Sequence, residues 1–235
     1  MASTETRRRY FILLRMYFGD CALTFHHLLH AQRAIVSGSV ALAFFSWTDP
    51  WEPGDMDVYV GKSSYAEFVY HLERSHLATL AIDCGPRRPS TYHGINVVRR
   101  YITCAGQHLD VIQSASSSPV TPLLYFWSSI VVNFISPFGA ACMFPSATFD
   151  HKGFVTGAAL SPKILAARVK YEGRGFRFTE VTSWRPPCVL DRDGHLVVSD
   201  RPILVIAFLP TSFNTPVAFP ITRNGRNWVI APANP

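Results

Sequence analysis

Acidic residues are scarce in this chain. Its 235 residues hold 16 Asp and Glu against 22 Lys and Arg, and only 16% are charged. Globular domains average about 25% charged residues, so a carboxylate inside an apolar segment needs a reason. Zinc-binding patterns are also missing. The five cysteines (Cys21, Cys84, Cys104, Cys142 and Cys188) are widely spaced and form no CxxC or zinc-finger pattern with histidine. Free thiols in a reducing compartment follow, which points to an intracellular protein, cytoplasmic or nuclear. His26, His27 and His30 cluster without an acidic or cysteine ligand nearby, so they read as packing or surface residues. Disorder is excluded by 48% apolar and 13% aromatic content.

Long uninterrupted apolar runs are absent too. Tyr10–Leu14 follows three arginines, but Arg15 breaks the run and no small-residue cleavage site follows, so a signal peptide is not expected. The uncharged stretch 111–149 is most apolar from Leu123 to Ile135. That is shorter than the roughly 20 residues a bilayer requires. Pro119, Pro122 and Pro137 bracket it. It reads as a buried helix leading into a core segment, not as a membrane span. There is no internal repeat.

What is present begins with an uneven charge. Residues 1–110 hold 11 basic and 10 acidic residues, whereas residues 111–235 hold 11 and 6. The net charge of +6 and pI near 9.2 fit an anionic partner such as nucleotide or nucleic acid, or a mildly basic solvated surface.

The hydrophobic pattern alternates between helix and strand periods. Residues 21–31 read as a helix, 34–37 as a short strand and 40–45 as a helix. Residues 55–60 read as a strand rich in residues that favour extended backbone. Ser64, with Glu67 at capping-box spacing, predicts a helix over 65–75 carrying Phe68, Val69 and Leu72. Residues 97–103 and 107–113 read as two strands joined at Gly106. Pro162 fits the first turn of a helix that ends near Gly173 and Gly175. From Cys188 the chain reads as β-hairpins, turning at Asp193-Gly194 and Asn224-Gly225.

The chemistry concentrates in two places. Asp55 and Asp57 are two apart on a strand, so their carboxylates face the same way. Like charges that close repel unless a cation lies between them. Asp110 sits in the apolar strand segment His108–Ile112, where a lone carboxylate is costly. If that strand lies beside Asp55–Val60, three acids converge on a site suited to divalent metal and phosphoryl displacement. The other reading has Asp57 facing solvent and Asp110 paired with Arg99 or Arg100 across the hairpin. The second place is Ser37-Gly38-Ser39, a glycine turn before a helix, where free N–H groups and hydroxyls suit a phosphate. Lys163, Lys170, Arg174 and Arg177 have helical spacing and could meet a triphosphate or a nucleic-acid backbone, or simply form a solvated face.

A Gly-Ser turn, then Asp-x-Asp, then a later strand Asp resembles the DNA polymerase beta-type nucleotidyltransferase superfamily over about residues 31–115. The phrases Ile35–Leu42 and Phe126–Ile135 resemble uncharacterised fungal members, extending the likeness to about residue 175. The resemblance implies an α/β (α+β) fold, with a mixed β-sheet core flanked by helices and a C-terminal β-hairpin region. It implies Asp55, Asp57 and Asp110 as catalytic metal ligands for Mg²⁺ or Mn²⁺, with Asp110 helping to activate the acceptor hydroxyl. It also implies that Gly38 and Ser39 hold the triphosphate of a nucleoside triphosphate; Ser37, Lys163 and Lys170 are nucleotide-binding candidates from their positions in the chain alone. The reaction implied is transfer of a nucleotidyl group to an acceptor, which is RNA, protein or a small molecule. An inactive nucleotide- or partner-binding module of the same fold is the alternative. One departure is the spacing: 15 residues separate Ser39 from Asp55, more than the family usually has. The excess fits a loop at Pro50–Gly54. The expected organisation is an N-terminal helical segment (1–30), a nucleotidyltransferase-like core (31–160) and a C-terminal helix with β-hairpins (161–235).

Overall fold

Strand alternation sets the sheet. Met56, Val58 and Val60 are fully buried on one face of the Asp55–Val60 strand, while Asp55, Asp57 and Tyr59 take the other. The computed structural model describes residues 2–86, 93–156, 161–183, 188–190, 196–198, 203–208, 221–223 and 226–227.

The chain opens with helices α1 (Ala2–Phe18) and α2 (Ala22–Ala31), then β1 (Ile35–Ser37), α3 (Gly38–Phe45) and β2 (Asp55–Val60). Helix α4 (Tyr65–Arg74) leads to β3 (Ala78–Pro86), β4 (Ile95–Thr103) and β5 (His108–Ser114). Next come β6 (Phe134–Ser136), β7 (Gly139–Cys142), α5 (Pro145–Phe149), β8 (Lys152–Thr156), α6 (Pro162–Glu172) and β9 (Arg177–Val181). The last strands are β10 (Cys188–Leu190), β11 (Leu196–Val198), β12 (Leu204–Ala207), β13 (Ile221–Arg223) and β14 (Arg226–Asn227).

Eight strands make one mixed sheet in the order β12-β7-β6-β1-β2-β5-β4-β3. Its parallel pair is β2–β5, and its other neighbours run antiparallel. Four helices cover one face: Tyr10, Phe25, Phe44 and Phe68 pack with Val36, Met56, Val58 and Val111. Fully burying a side chain such as Phe25 contributes about 1.5–3 kcal/mol. On the other face Ile35, Tyr59, Ile112 and Phe134 meet Val120 and Leu123. The strands β8 and β9 pair in parallel, and β10-β11-β13-β14 form a small separate sheet. The β10–β11 and β13–β14 pairs are antiparallel, as the hairpin pattern predicts. The turn residues Asp193-Gly194 and Asn224-Gly225 lie outside the described residues.

Two sequence-based expectations change. Leu123–Ile135 is not a helix. It forms 3-10 turns at Thr121–Tyr125 and Ser129–Val131 and then strand β6. The β-branched run Ile130-Val131-Val132 disfavours helix. Asn133 also takes over local backbone groups: its amide donates to the Ile130 carbonyl at 3.1 Å, and its Oδ1 accepts from the Met143 N–H at 3.0 Å. Second, no capping box forms at α4, where the Ser64 hydroxyl makes no cap. A side-chain cap appears at α6 instead, where Ser161 Oγ accepts from the Ile164 N–H at 3.4 Å. Among the described residues, no helix is long and apolar enough to cross a membrane. Cys21, Cys104 and Cys142 are free thiols.

Candidate metal and nucleotide site

Register brings the acids together. In the parallel β2–β5 pair Asp57 stands opposite Asp110, and in the antiparallel β1–β2 pair Ser37 stands opposite Asp57. One carboxylate oxygen from each of Asp55, Asp57 and Asp110 lies within 4.8 Å of the others. Hard oxygen donors at this spacing suit a small divalent cation. The three acids share the sheet face of Tyr59 and Ile112, at the end of the stripe where apolar packing gives out.

The glycine turn closes on this cluster. Gly38 has φ +67°, and a Cβ there would lie 2.5 Å from Asp57 Oδ2. Two demands therefore coincide at Gly38, a left-handed backbone and close approach to a carboxylate. Helix α3 starts at this residue. Ser39 is buried and its hydroxyl donates to the Asp55 carbonyl at 3.5 Å. The Ser37 hydroxyl is used differently: it donates to the carbonyls of Asn133 at 2.6 Å and Val131 at 3.3 Å. It ties β1 to the segment before β6 and is not presented to the acids.

Charge around the cluster is only partly balanced. Burial pushes the Asp57 carboxyl up to about 8, and the charges of Asp55 and Asp110 push the same way; Lys170 and Lys163 pull it back. Helix α6 supplies both lysines, and Lys170 Nζ lies 3.9 Å from Asp55 Oδ1. Asp110 has its own cation. Arg100 grips it in a bidentate pair, Nε to Oδ1 and Nη2 to Oδ2, both 2.8 Å. The cross-strand pairing of Asp110 with Arg100 and the convergence of three acids both occur.

The basic stripe does not stay on one helix. Gly173 ends α6, Gly175 has φ +88°, and Arg177 falls on β9. Arg174 instead pins the loop before β2. Its Nη2 donates to the Glu52 carbonyl at 3.1 Å, and its guanidinium lies 4.2 Å above the Trp51 ring. Tyr17 holds the same loop by donating to the Pro53 carbonyl at 3.0 Å. Sequence reading missed Tyr17 and Trp51 as supports, because no local pattern links residues so far apart.

No family model matches the chain, and no curated protein matches its sequence. The fold is similar to that of a CCA-adding enzyme solved with CTP, with a TM-score of 0.51, 14% identity and 72% of this chain covered. A second neighbour, the Thermotoga maritima CCA-adding enzyme complexed with tRNA, gives a TM-score of 0.49 at 15% identity, again over 72% of this chain. The chain spans 42% of the length of each. The protein has a mixed α/β fold, a large mixed sheet flanked by helices, similar to that of the CCA-adding enzyme solved with CTP.

Proposed function

We propose that the chain is a metal-dependent nucleotidyltransferase that binds a nucleoside triphosphate and transfers a nucleotidyl group to an acceptor hydroxyl. The observation that carries this reading is the in-register meeting of Asp55, Asp57 and Asp110 beside the left-handed Gly38 turn. The phrases Ile35–Leu42 and Phe126–Ile135, which resemble uncharacterised fungal members of the nucleotidyltransferase superfamily, are in keeping with it.

In this reading Asp55, Asp57 and Asp110 hold Mg²⁺ or Mn²⁺, which when bound neutralises the phosphates and stabilises charge at the reacting phosphorus. The N–H groups at the start of α3, with Gly38 and Ser39, receive the triphosphate. Lys170 and Lys163 bring positive charge to the same cleft and orient the β- and γ-phosphates. The acceptor oxygen bonds to the α-phosphorus, the α–β phosphoanhydride breaks, and pyrophosphate leaves. The acceptor proton passes to the carboxylate cluster. RNA, protein and small molecules all offer such a hydroxyl.

The test is Asp57→Asn, assayed by calorimetric titration of each nucleoside triphosphate with and without Mg²⁺. Loss of metal-dependent nucleotide binding in a variant that stays folded is expected. Equal nucleotide binding by variant and native chain would sink the reading.

A second reading, a nucleotide-binding module without turnover, is favoured by one observation: Arg100 already engages both oxygens of Asp110. Transfer of labelled nucleotide to a panel of RNA, protein and small-molecule acceptors separates the two. Binding without transfer across the panel favours the module.

A further inference from the structure

A second concavity lies at the other end of the sheet. Ser37 pairs with Phe134 at the acid end, so the β6–β7 turn at Pro137–Phe138 is at the opposite end. Here α1, α2 and that turn enclose a pocket of about 280 Å³. That is at the small end of ligand sites, which span roughly 300–1,000 Å³. Helix α1 contributes Arg7, Tyr10 and Phe11, spaced to share one helical face. Helix α2 contributes His26, His27 and His30.

The walls have two properties. They are built of rings: Phe11 packs 5.3 Å from His26, and His30 packs 4.9 Å from Phe138. They also gather basic groups without an acid. Arg7 and three imidazoles line the pocket, and no carboxylate is among the described residues that do. The His26 imidazole is pushed down to about 4, first by burial and then by His27, His30 and Arg7.

We propose that this pocket binds a small single-ring aromatic carboxylate, whose ring lies among Phe11, Phe138 and His30 and whose carboxylate is held by Arg7 and the α2 imidazoles. Arg7 matches a carboxylate in size and fork geometry. Tyr10 Oη lies 3.0 Å from His26 Nδ1. Burial keeps this phenol protonated, and it pairs with Nδ1 in either tautomer of the ring. The anion supplies the negative charge that the walls lack. A cation is disfavoured by the same groups, and a neutral ring brings Arg7 no counter-charge.

Benzoate and its neutral isostere benzamide are the probes, read by the imidazole NMR resonances and by calorimetry on the full chain. Saturable movement of the His26, His27 and His30 resonances by benzoate is expected, with at least tenfold weaker binding of benzamide. Arg7→Ala, at an exposed rim position, is expected to weaken benzoate at least tenfold and leave benzamide unchanged. Asp57→Asn is expected to leave benzoate binding intact, which separates this site from the acid cluster. No saturable response to benzoate, equal affinity for the two probes, or no effect of Arg7→Ala overturns the proposal.

Discussion

Arg100 and Asp110 form a bidentate ion pair across β4 and β5, with both hydrogen bonds at 2.8 Å. The pair binds the third acid of the cluster to a cation of the chain itself. Asp110 is 13% exposed and Arg100 42%, so the pair is screened on one side only. Arg100→Ala leaves Asp110 facing Asp57 without that partner. A loss of about 1–2 kcal/mol is expected, toward the low end of charged hydrogen bonds because Arg100 is partly solvated. Urea unfolding checks this, and added Mg²⁺ is expected to narrow the gap, since a cation at the cluster replaces the lost charge.

Gly38→Ala tests the close approach to Asp57. The substitution places a methyl group against Asp57 Oδ2 and forces alanine into φ +67°. The backbone conformation alone costs on the order of 1–3 kcal/mol. A lower thermal midpoint is expected, together with at least tenfold weaker Mn²⁺ binding as followed by electron paramagnetic resonance. Unchanged Mn²⁺ affinity in a folded variant would detach the turn from the cluster.

Asp57 gives a pH signature. Its carboxyl is raised to about 8 in the folded chain, from an ordinary value of 3.8. Between those values the folded state holds a proton that the unfolded state has released. Stability from this group is therefore fully present below the lower value and is lost as pH rises toward the upper one. The slope is at most about 1.4 kcal/mol per pH unit. Urea midpoints with chelator present are expected to fall from about pH 5 to about pH 8, and Asp57→Asn to flatten that fall. A divalent cation opposes the loss most strongly at the alkaline end, where it competes with fewer protons.

Asn133→Leu tests the polar bridge that replaces a helix. The substitution strands the Met143 N–H and the Ile130 carbonyl, both paired with the Asn133 side chain. A loss of about 1–3 kcal/mol is expected. Hydrogen exchange at the Met143 amide is expected to quicken. Protection equal to that of the native chain would mean that the amide has another partner.

Local pattern made the centre of the sheet readable. Alternation in Asp55–Val60 and His108–Ser114, with the Gly38 turn between a short strand and a helix, identified the elements that carry all three acids. The lysine spacing placed Lys163 and Lys170 on one helix. Asp110 was readable too, because a carboxylate among Leu109, Val111 and Ile112 demands a partner.

Other features were not legible from local pattern. Strand β12 pairs with β7 at the edge of the main sheet, joining residues about sixty positions apart, as Val205 with Ala141. The Arg174 contact with the Glu52 carbonyl spans 122 positions. Leu123–Ile135 misled because a short apolar run fits a buried helix and a buried strand equally well.

The sequence by itself determined the period of each central element and which acids share a strand face, because side-chain direction follows from backbone geometry. Only the tertiary structure decided the rest. It set β2 beside β5 in register, turned the Ser37 hydroxyl away from the acids, and gave Asp110 both acidic neighbours and an arginine. It also aimed the lysine face of α6 at Asp55. Those outcomes depend on which distant surfaces bury one another, and long-range packing leaves no periodic trace in the chain.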